Sequence, residues 1–216
     1  MATKKSTRIG IWIIAAMMLV GTLGSFAAMI LQPMNTQTDQ ARIKEMTEQY
    51  QAAYAAYQEK LDAQAVELSK QYYDEFSKYS DHPEAFDASE VDELQTTDLK
   101  NGTGEEITAE TEYKAYYIGW NPKGKVFDSS IQGDSLKAPI AGGNLIPGWN
   151  KGVIGMKVGG VRQLTIPAEL AYGEAGQGED IPPNTPLKFI VMVIQPPQVA
   201  DEPTVPQELI DYYANQ

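Results

Sequence analysis

The sequence predicts an α+β fold: an antiparallel sheet wrapped on one short helix, preceded by a transmembrane helix and a long amphipathic helix. Three observations carry this expectation. Residues 9–31 form an uncharged apolar run. Residues 37–79 contain neither glycine nor proline and repeat apolar side chains at helical spacing. From residue 98 to 197, β-branched and aromatic runs alternate with turns bearing glycine and proline.

The apolar run IGIWIIAAMMLVGTLGSFAAMIL has 23 residues without a charge. At about 1.5 Å of rise per residue, a helix of that length crosses a hydrocarbon core of about 30 Å. Lys4, Lys5 and Arg8 precede it, and the next basic residue is Arg42. The positive-inside rule then leaves residues 1–8 in the cytoplasm and exports everything after Leu31. A signal peptide cleaved near Ala27, after Ser25-Phe26-Ala27, is the alternative. Ala28-Met29-Ile30-Leu31 continues the apolar run past that point, which favours an uncleaved anchor. A buried helix of a soluble domain fits worse, because the run is apolar on every face.

Between 37 and 79, Ile43, Met46, Tyr50, Tyr54, Tyr57, Leu61, Ala65, Leu68, Tyr72, Phe76 and Tyr79 recur at steps of three or four, a period of 3.6. That is one face of a straight α-helix, with Glu45, Glu59, Lys60, Glu67 and Lys70 off the stripe. A helix of that length cannot bury such a stripe alone. Its face must meet the same helix of another copy, a bundle formed by folding back, or the membrane surface, and two uses stay open: a homodimer formed through helix 37–79, or a spacer lifting the next domain off the membrane. The tyrosine-rich seam is not a heptad core. Ser80-Asp81-His82-Pro83 ends the helix, and 80–97 reads as an acidic linker.

Within 98–197, Tyr113 to Ile118, Val161 to Ile166 and Leu187 to Ile194 read as strands. Asn121-Pro122-Lys123-Gly124 reads as the turn of a hairpin returning through Val126-Phe127, and Pro147 to Met156 as the short helix. The tail 198–216 is acidic and rich in proline, with a short helix or docking motif over Gln207 to Tyr213.

Charge and composition exclude several classes. The net charge is −12, yet residues 98–197 carry only −2, and the acidity lies in the flanks. Nucleic acid is therefore not an expected partner, since phosphate binding needs clustered Lys and Arg. With no cysteine there are no disulfides, no thiolate chemistry and no Cys-based zinc sites. The single histidine, His82, precedes Pro83 in a polar stretch and reads as a loop residue rather than a metal ligand.

Four blocks then stand out in order and spacing: Phe127-Asp128-Ser129-Ser130, LIPGWNKGVIGMKVGGVRQLTIP from Leu145 to Pro167, Ala171-Tyr172-Gly173, and IPPNTPLKF from Ile181 to Phe189. Together they resemble the FKBP-type peptidyl-prolyl cis–trans isomerases over about 100 residues. The resemblance implies catalytic positions at Tyr117, Phe127, Asp128, Ile146, Trp149 and Tyr172, and substrate-binding positions at Leu145, Ile181, Phe189 and Leu136. Trp149 would floor the pocket under a proline ring, and Tyr117, Phe127 and Phe189 would wall it. The Ile146 N–H and the Tyr172 hydroxyl would meet substrate carbonyls, with Asp128 hydrogen-bonded at the edge. No metal and no cofactor are implied.

The sequence also departs from the family pattern. Near Gly133 and Leu136 the family usually carries a basic and an aromatic residue, so one wall is expected to be more open. Gln177 and Asp180 stand where a histidine and an apolar residue are common, which is expected to shift peptide preference.

An aromatic site without a nucleophile suits rotation about X–Pro bonds. Twisting the C–N bond costs about 18–20 kcal/mol in lost resonance. The twisted amide has lost much of its charge separation, so an apolar pocket favours it over the planar form. The expected function is folding assistance to exported or surface proteins, with proline-containing polypeptides as substrates. A membrane-tethered binding module, holding such partners with little turnover, is the alternative.

Overall fold

The computed structural model describes residues 37–198 and 201–214. The apolar run 9–31, read above as anchor or signal peptide, lies outside them. No helix among the described residues is long and apolar enough to cross a membrane.

Helix α1 spans Gln37–Phe76 and passes into a 3-10 turn, Ser77–Tyr79, matching the expected 37–79. Its apolar stripe is half-buried or buried at every predicted position from Ile43 to Tyr79. Strands β1 (Gln95–Lys100), β7 (Val161–Ile166), β8 (Leu187–Ile194), β2 (Lys114–Trp120) and β3 (Val126–Ser129) lie in that order in one antiparallel sheet. Strand β6 (Ile140–Ala141) pairs the start of β2, while β4 (Ile131–Gln132) and β5 (Ser135–Leu136) make a separate small hairpin. Helix α2 is short, Pro147–Gly152, and helix α3 covers Gln207–Ala214.

The chain divides into two compact units. Among the described residues, one comprises 37–57 together with 201–214, and within it Arg42 Nη2 on α1 meets Glu208 Oε2 on α3 at 2.8 Å. The other, Gln58–Ala200, contains the whole sheet.

Both faces of that sheet are buried, which explains why β8 reads LKFIVMVI without alternation. Ala115, Leu164, Ile166, Leu187, Phe189, Val191 and Val193 face one core together with Trp149 and Val153 of the α2 region. Tyr116, Ile118, Trp120, Ile190, Met192 and Ile194 face the other, where Phe76, Leu68, Tyr72 and Tyr73 of α1 cover them. The C-terminal half of α1 is therefore part of the same packed unit as the sheet.

The stretch 80–97 is also more than a linker. Phe86 packs into the second core and lies under Lys188 Nζ, 4.7 Å from its ring centroid. Trp120 Nε1 donates to Glu84 O at 3.0 Å, and Gln95 already opens β1. Composition alone hid this, because the acidic residues there are exposed while Phe86 and Leu94 do the packing. On β7, Arg162 is 9% exposed and forks onto Asp98 of β1 through Nε and Nη2, at 2.6 and 3.1 Å. Its Nη1 donates to Gly152 O and Ile154 O, which satisfies carbonyls at the end of α2.

Candidate active site

The local sequence dictates how Trp149 is presented. Pro147 occupies the first turn of α2, where its missing N–H costs nothing, after the N-cap Ile146. Gly148 lets the helix lie on β7: a Cβ there would stand 2.2 Å from Ile166 Cγ2. The Asn150 side chain donates to Gly143 O and Leu145 O, both at 3.0 Å, and fixes the loop before the helix. Trp149 is thereby 2% exposed, with its Nε1 donating to Tyr113 OH at 3.2 Å.

Four rings, its own among them, meet here. Trp149 and Phe189 pack edge-to-face with centroids 5.3 Å apart, Tyr117 and Trp149 at 5.6 Å, and Phe127 and Phe189 at 5.6 Å. Such T-shaped pairs set the positive ring edge against a negative face and hold the box rigid. The box lines a cavity of about 470 Å³ together with Asp128, Ile140, Leu145, Ile146, Tyr172 and Ile181. Its far rim is the loop Gln177, Gly178, Glu179 and Asp180. Asp180 is tied to the β2–β3 hairpin by an ion pair with Lys125 and by Asn121 Nδ2, which donates to its carbonyl at 2.9 Å.

Polar groups are few. The Tyr117 hydroxyl donates to Asp128 Oδ2. Asp128 Oδ1 also accepts from Lys137 Nζ at 3.0 Å and from the Ser129 N–H at 2.8 Å. Partial burial pushes the Asp128 carboxyl up, but these donors outweigh it and hold the group below the usual carboxylate range. Desolvation first, and then the bond to Asp128, push the Tyr117 phenol well above its ordinary value, so it stays a proton donor. The Ile146 N–H and the Tyr172 hydroxyl take no partner among the described residues. The arrangement can seat a small apolar ring on indole and offer two donors to carbonyls beside it. Among the described residues, no group of three or more acidic or histidine side chains is placed to hold a metal ion.

Residues 103–194 match the family described as FKBP-type peptidyl-prolyl cis-trans isomerase. An FK506-binding protein of Neisseria meningitidis is 41% identical over 99 residues, covering 45% of this chain and 91% of the relative. The chain belongs to the FKBP-type peptidyl-prolyl cis–trans isomerases. FK506-binding protein 2 of Yarrowia lipolytica is 41% identical over 106 residues, 47% of this chain and 74% of that one. FK506-binding protein 4 of Rhizopus delemar is 42% identical over 97 residues, 45% of this chain but only 25% of its own length. Among solved structures, AtFKBP13 is 38% identical over 48% of this chain and 93% of its own, with a TM-score of 0.42.

Of the ten positions that the FKBP resemblance marked, nine line the cavity: Tyr117, Phe127, Asp128, Leu145, Ile146, Trp149, Tyr172, Ile181 and Phe189. Leu136 does not. It is 6% exposed and packs in the second core with Phe76 and Tyr116, on the opposite face of the sheet. The β4–β5 hairpin turns it inward toward α1, and Ile140 on β6 supplies the cavity wall instead. The basic side chain that reaches Asp128 is Lys137, four residues after Gly133. Gln177 and Asp180 both stand on the rim, as expected.

Gly119 is a residue the sequence reading missed. A Cβ there would lie 2.6 Å from Phe189 and 2.7 Å from Phe127, so the two rings cross over bare backbone. Its one sequence signal was a glycine interrupting a strand.

Proposed function

We propose that this chain isomerises X–Pro bonds in polypeptides that fold outside the cytoplasm, while residues 9–31 tether it to the membrane. The observation that carries the reading is the four-ring box with its adjoining donors. The proline ring sits on Trp149, and the aromatic walls exclude water from the amide as it twists. The Ile146 N–H and Tyr172 hydroxyl hold the flanking carbonyls, so rotation is confined to one bond. Each ~1.4 kcal/mol by which the twisted amide is preferred over the planar one gives about tenfold in rate.

The full chain in detergent should isomerise a proline-containing test peptide well above background. Phe127→Ala should lower kcat/KM at least tenfold, and Tyr172→Phe by a smaller factor. A folded chain with no rate above background would overturn the enzyme reading and leave the tethered binder. Export is supported by Lys4, Lys5 and Arg8 preceding the apolar run. Protease added to intact cells should reach the domain, with the chain pelleting with membranes.

The homodimer through helix 37–79 is part of the same proposal. Tyr50, Tyr54 and Tyr57 make a row of ring contacts at 6.2 and 6.1 Å along α1. Sedimentation of the detergent-solubilised chain at tens of micromolar decides between a dimer and a monomeric spacer.

A further inference from the structure

We propose that Ser69 and Tyr73 on helix α1 are positioning residues for the isomerase pocket, acting through the β4–β5 hairpin and Lys137. The inference rests on the isomerase reading above.

The contacts run in one direct line. Ser69 Oγ accepts the Leu136 N–H at 2.7 Å, with Ser69 7% and Leu136 6% exposed. The Tyr73 hydroxyl donates to Gly133 O at 3.1 Å, at the hairpin's turn. Lys137 follows Leu136 directly, and its ammonium lies 3.0 Å from Asp128 Oδ1. Asp128 in turn accepts the Tyr117 hydroxyl, and both residues line the cavity.

The hairpin cannot hold its own register. It has two paired positions, Ile131↔Leu136 and Gln132↔Ser135, and two-stranded ribbons of any length are marginal in water. The Lys137–Asp128 pair is also partly solvated, with side chains 31% and 46% exposed. Pairs of that kind contribute little when a flexible lysine must be ordered to form them. Fixing the backbone on either side of Lys137 sets where its Cα stands, so only the side chain is left to order. Lys137 N donates to Ser130 O at 2.8 Å, and α1 supplies the rest through Ser69, Tyr73 and the burial of Leu136. The helix thus sets how firmly Lys137 holds Asp128, and hence how firmly Tyr117 is held as a wall.

A merely structural contribution of α1 would lower stability and act additively with changes at Lys137. A positioning contribution must vanish once Lys137 is gone. The experiment is a double-mutant cycle in the full chain, at a temperature where every variant is folded. Ser69→Ala, and separately Tyr73→Phe, are made in the wild-type and Lys137→Ala backgrounds. Losing one such hydrogen bond should lower kcat/KM by about threefold to tenfold in the wild type and by less than about twofold in Lys137→Ala. Equal losses in both backgrounds, or none in the wild type, would overturn the proposal.

A second readout does not need turnover. The groups facing the Asp128 carboxyl are Tyr117, Lys137 and the Ser129 N–H. Its titration, followed by NMR, should move up in Lys137→Ala and in the same direction in Ser69→Ala and Tyr73→Phe. A carboxyl that moves in Lys137→Ala but not in the α1 variants overturns the inference. An inactive wild type would sink the isomerase reading alone, with the titration still deciding this one.

Discussion

The Tyr117 hydroxyl donates to the Asp128 carboxylate, linking β2 to β3 across the mouth of the aromatic box. Burial alone would raise the Asp128 pKa, yet the donors Tyr117, Lys137 and Ser129 N–H bring it below the ordinary value. A depressed folded-state pKa stabilises the fold above the unfolded-state value and loses that contribution as pH falls through the folded one. Wild type should therefore be more stable than Asp128→Asn at pH 7. The difference should shrink from about pH 4 downward, where the unfolded carboxyl begins to protonate. Urea midpoints of both proteins at pH 7, 5 and 3 check this; a gap that widens in acid would contradict it.

Gly119 is the position most exposed to a one-carbon test. A methyl group there meets Phe189 Cε1 at 2.6 Å and Phe127 Cζ at 2.7 Å. Both rings belong to edge-to-face pairs, so neither can yield without opening the box. Gly119→Ala should lower kcat/KM more than tenfold, while overpacking costs about 1–3 kcal/mol of stability. Steady-state kinetics beside a denaturant melt separate the two effects. Unchanged kinetics would show that the rings shift freely.

On the other face of the sheet, Tyr116 is fully buried and its hydroxyl has no hydrogen-bond partner among the described residues. Its ring packs against Tyr72 and Phe76 of α1 at 6.0 and 6.1 Å. Leaving a buried hydroxyl unpaired costs about 1–3 kcal/mol, so Tyr116→Phe should stabilise the protein. A gain of about 1 kcal/mol raises the melting temperature by about 2–4 °C in a unit of this size. Isomerase activity should not change, because the ring faces away from the cavity. A lower melting temperature would mean that the hydroxyl is satisfied.

The pocket was legible in the sequence because its rings and donors lie in blocks of fixed spacing, and Leu145 to Trp149 form one turn-and-helix unit. Strands β7 and β8 were legible to the residue, since β-branched, leucine and aromatic side chains dominate both, and β8 in particular reads apolar on both faces. Strand β2 runs to Trp120, two residues past the expected end, and Gly119 within it is the bare backbone under two rings. What the sequence could not reveal was the partner of the α1 stripe. Periodicity identifies an apolar face but not its cover, and here Leu68, Tyr72 and Phe76 lie on the chain's own sheet. The same gap hid β1 and the packing of Phe86, the one large apolar side chain from Asp81 to Glu90.

Leu136 and Ile140 carry the sharpest contrast between the two sides of the sheet. Both lie between β3 and α2, four residues apart and alike in size. Leu136 packs with Phe76 and Ile131 beneath α1, whereas Ile140 pairs with Ala115 and lines the cavity. Leu136→Ala should cost about 2–4 kcal/mol through the cavity it leaves. Ile140→Ala is half-exposed already and should cost less, while raising KM for a proline peptide severalfold by opening that wall. Denaturant unfolding and peptide kinetics on both variants check the assignment. If Leu136→Ala raised KM more than Ile140→Ala at equal stability, the pocket wall would lie where the sequence alone had put it.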